Sequence, residues 1–389
     1  MLSSSARRGA AVLLGAAVLT TLSACGAAPD QQSAGATGDA TGKVQPGAAA
    51  SVADFGGMEG LVAAAEKEGR LNVIALPADW ANYGEMLKAF QAKYPKIKVG
   101  SENPDASSAD EIAAVKSRKG QERAPDVLDL GIAFARSGAS ENLFAPYKVT
   151  AWDKIPGSQK DADGRWYNDY GGYVSIGCDA AKIPTCPQTF ADLLKPEYKG
   201  KVALNGNPTK SGSAFGGVYA AALANKGSFG DIQPGIDFFG QLRKSGNFIP
   251  VESTPATVEK GETPISIDWD YLNAGYAEQF KGKGVDWKVA VPTDGVYAQY
   301  YSQAINKDAP NPAAARLWME FLYSAQGQNL WLKGHARPVL LPAMTQDGTA
   351  DKDAVTRLPQ VQGTPEFPAS TELDKAKATL AEKWDKALS

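Results

Sequence analysis

Apolar residues recur at helical spacing from Met58 to Glu68, with Leu61, Val62 and Ala65 on one face and Gly69 placed where a helix cap belongs. The run Leu71 to Leu76 then reads as a strand. Asp79 to Tyr94 follows as a helix that gathers Tyr83, Met86, Leu87, Phe90 and Tyr94 on one side, and Pro95 stands just beyond its end. Ile97 to Val99 is the next strand, Ala109 to Lys119 a helix, and Pro125 to Gly131 a third strand. Strands that alternate with helices predict parallel pairing, with helices on both faces of the sheet.

A second series of the same kind begins after the aromatic cluster Trp166 to Tyr173. Its strands are expected at Gly172 to Gly177, Lys201 to Leu204 and Thr263 to Ile267, and its helices at Thr189 to Leu194, Ser213 to Asn225 and Pro234 to Ser245. Strand Ala298 to Ile305 and helix Pro312 to Ser324 then return to the first sheet. Near the end, Leu373, Ala376, Leu380, Trp384 and Leu388 form a packing stripe on a helix capped by Ser370 or Thr371. The fold class is therefore α/β with two lobes, each a mostly parallel sheet flanked by helices. Residues 54–168 and 298–345 are assigned to lobe 1, and 169–297 and 346–389 to lobe 2. In such sheets the ligand crevice lies beyond the carboxyl ends of the strands, which directs attention to the cleft between the lobes.

The chain before residue 54 has a different character. Arg7 and Arg8 precede an apolar run from Ala10 to Leu22, too short to span a bilayer and closed by small residues. This is the pattern of a secretory signal, residues 1–24. Leu22-Ser-Ala-Cys25 resembles the lipobox of bacterial lipoproteins, which implies lipidation of Cys25 and anchoring on the extracellular or periplasmic face of the cell membrane. Residues 26–50 hold no Leu, Ile, Phe, Tyr or Trp. Residues 25–53 are thus expected to be the lipidated Cys and a flexible tether, spanning roughly 25 to 30 Å as a coil.

Composition narrows the function. The 40 basic and 43 acidic residues nearly balance, and no basic tract interleaved with aromatics offers a grip on nucleic acid. Beyond Cys25 the cysteines are Cys178 and Cys186, an even pair that in an oxidising compartment forms a disulfide. The chain has one His, His335, so neither a Cys/His metal site nor a cofactor is expected. A secreted hydrolase would have to use His335 as its base and lacks a Gly-x-Ser-x-Gly elbow, so no enzymatic activity is expected.

Several stretches converge on the cleft. Asp79, Trp80 and Tyr83 follow the first strand; Trp80 and Tyr83 are candidate aromatic platforms, and Asp79 could instead cap the helix. Asp129 and Gly131 end the third strand, where Gly131 allows close backbone approach. Ser211-Gly212-Ser213 opens a helix whose free amides suit a phosphate, a phosphonate or a carboxylate, or form an ordinary cap. In ISIDWDYL, Asp268, Trp269, Asp270 and Tyr271 set two carboxylates among aromatic rings at a strand end, a receptor for an ammonium group. One of the two acids could instead cap the next helix. Along the crossing strand, alternation allows only one of Tyr300 and Tyr301 to face the cleft.

These pieces together resemble the solute-binding lipoproteins of bacterial ABC importers, in the branch that takes polyamines, iron(III), thiamine and aminoethylphosphonate. The likeness spans about residues 54 to 345 and rests on Phe190-Ala-Asp-Leu-Leu-Lys-Pro-Glu-Tyr-Lys-Gly-Lys-Val-Ala-Leu204, on Ser211-Gly-Ser-Ala-Phe215, on Asn306 to Arg316, and on Ser324 to Gln328. It implies the two-lobed periplasmic-binding-protein type II fold and a monomer that hands its solute to an ABC permease and ATPase. It also implies ligand contacts from Asp79, Trp80, Tyr83, Gly131, Ser211 to Ser213, Asp268 to Tyr271, and Tyr300 or Tyr301. The iron binders place adjacent tyrosines where this chain has Asp268-Trp269-Asp270-Tyr271, so ferric iron, a further alternative, lacks its oxygen ligands unless Asp268 and Asp270 substitute. A polyamine such as putrescine or spermidine is the leading expectation, with 2-aminoethylphosphonate the close alternative.

Overall fold

The structure is a computed structural model and describes residues 45–361 and 367–389. The expected secretory signal, Cys25 and residues 26–44 of the expected tether lie outside that range. Strands β1 (Arg70–Ile74) and β2 (Lys98–Glu102) pair in parallel as a small sheet. The larger sheet runs in the order β3 (Val127–Gly131), β9 (Ala298–Asn306), β5 (Tyr167–Asp179), β7 (Ile265–Trp269), β6 (Val202–Leu204). β4 (Phe144–Ala145) adds to β9, and β8 (Trp287–Ala290) and β10 (Arg337–Pro338) add to β5.

The expectation of mostly parallel sheets needs correction. Among the described residues only β1/β2 and β6/β7 are parallel, while β5 and β9 meet their partners antiparallel. Local alternation of strand and helix carries no information about the direction in which a distant strand returns. The thirteen-residue β5 decides it, because it serves both lobes. Its first half, to Tyr173, pairs with β9 and β10, and from Val174 onward it pairs with β7 and β8.

Helices α1 (Met58–Glu68), α2 (Tyr83–Lys93), α3 (Ser108–Ser117), α4 (Ile132–Ser140), α9 (Pro312–Leu322) and α10 (Ala325–Lys333) surround the first half of this sheet. The core there joins Phe90, Trp318 and Phe321, with Phe90 edge-on to both partners. α5 (Gly212–Ala224), α6 (Gln233–Ser245), α7 (Pro255–Lys260) and α8 (Asp270–Gln279) flank the second half. α1 ends at Gly69 in the left-handed conformation, as the pattern predicted. The segment expected as helix from Thr189 is a 3₁₀ turn, Ala191–Leu194.

Three assignments shift. Residues 45–53, read as tether, are packed: Ala49 is buried, and Arg316 of α9 donates from Nε to the Ala49 carbonyl at 2.8 Å and from Nη2 to Gly47 at 3.0 Å. Short α11 (Leu341–Asp347) and α12 (Lys352–Thr356) stay near α10, where Asp351 N bonds Asn329 Oδ1 at 2.8 Å. Residues after 346 are therefore divided between lobes. Only α13 (Ser370–Leu388) packs on α6, through Trp384 against Phe239. The cap of α13 is Ala369, whose amide is taken by Glu372 Oε2 at 2.7 Å, rather than Ser370 or Thr371. Cys178 and Cys186 are disulfide-bonded. Among the described residues no helix is long and apolar enough to cross a membrane.

Candidate ligand-binding site

A cavity of about 190 Å³ opens where the two halves of the molecule face each other. One wall is the turn after β1, with Asp79 and Trp80, and the start of α3, with Ser107, Ser108 and Glu111. The other is the start of α5, with Ser211 and Gly212, and the segment Glu252 to Pro255. Tyr301 of β9 and Tyr276 of α8 line it between them. The halves touch: a methyl group built on Gly131 would lie 3.2 Å from the Gly212 Cα, and one on Gly212 would lie 3.1 Å from the Tyr301 hydroxyl. Two bare glycines facing each other allow this approach.

Helix starts shape the floor. Ser107 caps α3 in a capping box with Asp110, and Ser211 caps α5 through Ala214 N at 3.3 Å. Neither cap uses the amides of Ser108, Ala109, Gly212 or Ser213, which have no hydrogen-bond partner among the described residues. Each helix start carries about half a positive charge. Carboxyls surround them: Asp79, Asp105 and Glu252 at the exposed rim, Glu111 and Asp129 buried within. The cavity lining contains no Lys or Arg.

The inner carboxyls are wired to the strand beneath. Glu111 Oε2 accepts the Asp129 amide at 2.9 Å, and Ser108 Oγ accepts the Gly131 amide at 3.1 Å. Asp129 Oδ2 accepts from Tyr170 at 2.7 Å, and Oδ1 from Gln303 Nε2 at 3.1 Å. Trp80 Nε1 in turn donates to the Tyr170 hydroxyl at 2.7 Å. Burial pushes the Asp129 carboxyl up to about 7, against the opposing pull of Tyr170, Tyr83 and Gln303. Burial, then the neighbouring Asp129 charge, drives Glu111 well above the usual carboxylate range.

Asp79, Trp80, Ser211, Gly212 and Tyr301 therefore meet at one cavity, as read from the sequence, together with Asp129. Other candidates do not reach it. α2 begins at Tyr83, after Ala81 and Asn82 in left-handed conformation, so Asp79 is free of a capping role. Tyr83 is rotated into the core against Trp331, its hydroxyl 3.0 Å from Gln303 Nε2. Gly131 and Ser213 sit behind the lining. Tyr300 points the other way, toward Phe367, which resolves the pair in favour of Tyr301.

The ISIDWDYL quartet is the main correction, because all four side chains are buried. Asp270 Oδ2 is 2.6 Å from Arg337 Nη1, and its Oδ1 accepts the Tyr173 amide at 2.9 Å. Asp268 accepts from Asn205 Nδ2 at 2.6 Å, from the Ser213 hydroxyl and from the Trp269 amide. Burial lifts Asp268 to about 6. Neither acid offers an oxygen to the cavity, so the ammonium trap does not exist there. Trp269 and Tyr271 form a second layer: Tyr271 lies edge-on behind Trp80 and Trp269 edge-on behind Tyr301. Their indole N–H and hydroxyl have no hydrogen-bond partner among the described residues. His335 lies outside the lining, in a left-handed turn.

Sequence reasoning missed Asp105, Ser107, Ser108, Glu111, Glu252 and Tyr276. The capping signature Ser107-Ser-Ala-Asp110 was available in the chain and has the same meaning as Ser211-Gly-Ser. Glu252 and Tyr276 carry no local signal.

Residues 122–358, more than half of the chain, match the family described as bacterial extracellular solute-binding protein. An uncharacterized protein of Haemophilus influenzae is 26% identical over 310 residues, covering 76% of this chain and 84% of the relative. Among solved structures, the periplasmic binding protein P5PA superposes with a TM-score of 0.64 at 19% identity, over 82% of this chain and 100% of that one. AfuA of Actinobacillus pleuropneumoniae, with exogenous fructose-6-phosphate bound, gives 0.64 at 21%, over 82% and 98%. The ferric binding protein of Campylobacter jejuni gives 0.60 at 16%, over 82% and 99%.

Proposed function

Because the chain belongs to the bacterial extracellular solute-binding proteins, which deliver small solutes to ABC permeases, we propose that it captures a zwitterion in the cavity between its lobes. The solute carries an ammonium group at one end and an oxyanion at the other; 2-aminoethylphosphonate is the probe of that chemistry. One observation carries the reading: the unpaired amides of Ser108 and Gly212 and a rim of carboxylates share one cavity, whose lining has no Lys or Arg.

Magnitudes decide between cation and anion. Two helix starts supply about one positive charge together. The three rim carboxylates alone exceed that, so a purely anionic solute is disfavoured and a positive group is required. Trp80, Tyr276 and Tyr301 add cation–π attraction of about 0.5 to 2 kcal/mol per ring for an ammonium beside them. The amides left over on α3 and α5 then favour an oxyanion at the far end, as at other helix starts.

A polyamine is the second reading, favoured by the acidic, aromatic lining. Among the described residues no group of three or more His, Cys, Asp or Glu side chains is placed to hold a metal ion. The sequence features at Cys25 favour presentation on a lipid anchor, testable by labelling with a fatty acid in Cys25→Ser and wild-type cells. Titration calorimetry tests the ligand. Micromolar binding of 2-aminoethylphosphonate, tighter than putrescine and than fructose-6-phosphate, is expected. No binding of any amine would remove the proposal.

A further inference from the structure

A solute oxyanion in this cavity finds no Lys or Arg in the lining and two carboxyls, Glu111 and Asp129, buried beside it. Two carboxyls buried side by side do not both ionise, and the hydrogen bonds around them settle which one keeps a proton. An indole Nε1 can only donate, so the Trp80 bond makes the Tyr170 oxygen an acceptor and sends the Tyr170 proton to Asp129 Oδ2. Gln303 Nε2 donates to Oδ1. Asp129 thus has a donor on each oxygen. Glu111 Oε2 accepts the Asp129 amide, whereas its Oε1 has no partner among the described residues, although Glu111 is 1% exposed and lines the cavity. A proton on Oε1 therefore displaces no donor. The titratable groups facing Glu111 are Asp129 of β3, Asp110 of its own helix, Tyr83 of α2 and Tyr301 of β9. None of them can carry a positive charge.

Side chains on a helix lean toward its N-terminus, and Glu111 follows Ser108 by three residues, so its carboxyl lies on the same face as the free Ser108 amide. We infer that Glu111 is a neutral acid whose Oε1–H donates to the solute's oxyanion beside that amide, and that the cavity therefore takes an amino sulfonate as well as an amino phosphonate. This rests on the zwitterion reading above and adds to it a residue and a class of solute. A sulfonate is acceptor-only on every oxygen, which matches an end of the cavity where helix-start amides and the acid O–H all donate. The carboxyl O–H also removes the repulsion that a charged Glu111 would exert on any oxyanion seated there.

Taurine is the probe, because its sulfonate holds no proton near neutral pH and any acid proton observed belongs to the protein. Infrared difference spectra with and without taurine should show, in the wild type, the C=O band of a protonated carboxylic acid shifting on binding, and no such shift in Glu111→Gln. By calorimetry Glu111→Gln, which keeps an acceptor for the Asp129 amide and offers an N–H to the sulfonate, should bind taurine within about threefold of wild type. Glu111→Met, with no donor, should bind it about tenfold or more weakly. A wild-type spectrum without a ligand-shifted acid band would overturn the inference. So would a loss of about tenfold in a folded Glu111→Gln, the mark of an ionised carboxylate that holds the ammonium instead. Binding of 2-aminoethylphosphonate without binding of taurine would overturn it as well, since an O–H donor serves both. If neither zwitterion binds while putrescine does, the zwitterion reading itself falls and takes this inference with it, a pattern distinct from the others.

Discussion

Arg337 Nη1 lies 2.6 Å from Asp270 Oδ2, at the point where β5 leaves one lobe for the other. Arg337 stands on β10, paired with Gly171, and Asp270 is the first residue of α8, so the ion pair ties the two lobes beside their shared strand. A side chain at Gly172 would collide with Asp270 Oδ1, so the glycine is what lets the carboxylate reach the Tyr173 amide. Arg337 also stacks 4.9 Å from the Tyr173 ring centre.

Removing one partner of a buried pair leaves the other charge without compensation. Arg337→Met should cost about 3 to 5 kcal/mol in urea denaturation. Adding Asp270→Asn to it should recover a large part. If Arg337→Met were neutral, the pair would have no part in joining the lobes.

Closure depends on the bare approach of Gly131 and Gly212. A methyl group at Gly212 would sit 3.3 Å from the Gly131 Cα and 3.1 Å from the Tyr301 hydroxyl, closer than ordinary contact. Gly212→Val should prop the lobes apart, weaken solute binding by about tenfold or more, and cost about 1 to 3 kcal/mol of stability. Small-angle scattering should show a larger radius for the variant with ligand than for the wild type. An unchanged affinity would mean that the solute binds without this contact.

The pH dependence follows from buried aspartates. Burial lifts Asp126 to about 7 and Asp268 to about 6, against an ordinary 3.8. A carboxyl that is harder to ionise when folded contributes stability that is complete below about pH 4 and is lost as pH rises through those values. Denaturation midpoints should therefore fall as pH rises from about 4 to about 7. Asp126 accepts from Asn72 N at 2.6 Å and from Asn311 N at 2.8 Å, remote from the cavity, so Asp126→Asn should flatten the slope without changing ligand preference. His335, pushed down by burial, acts in the opposite sense, but only below its ordinary 6.5. A midpoint that rises across this range would contradict the assignment.

The Cys178–Cys186 bond closes a short loop, eight residues apart, at the end of β5. Loop closure of that size stabilises by about 2 to 3 kcal/mol. Cys178→Ala/Cys186→Ala should lower stability by about that amount under oxidising conditions and leave ligand affinity within about twofold, since neither residue lines the cavity. Identical stability of the two proteins would show that the bond is not formed in solution.

What the sequence by itself determined was whatever depends on neighbours along the chain. Amphipathic spacing gave α1 to its terminal Gly69, and alternation on β9 predicted that Tyr300 and Tyr301 would part. Ser211-Gly-Ser marked a helix start at the cavity, and the Cys pair its bond. The tertiary structure alone decided what depends on distant partners. Asp268 and Asp270 looked like free carboxylates because nothing near them in the chain announces Asn205, Ser213 or Arg337. Folding brought those groups to them, since a carboxylate removed from water must find donors or cations. The same folding left Asp79, Asp105, Asp129 and Glu252, from scattered segments, to give the cavity its charge.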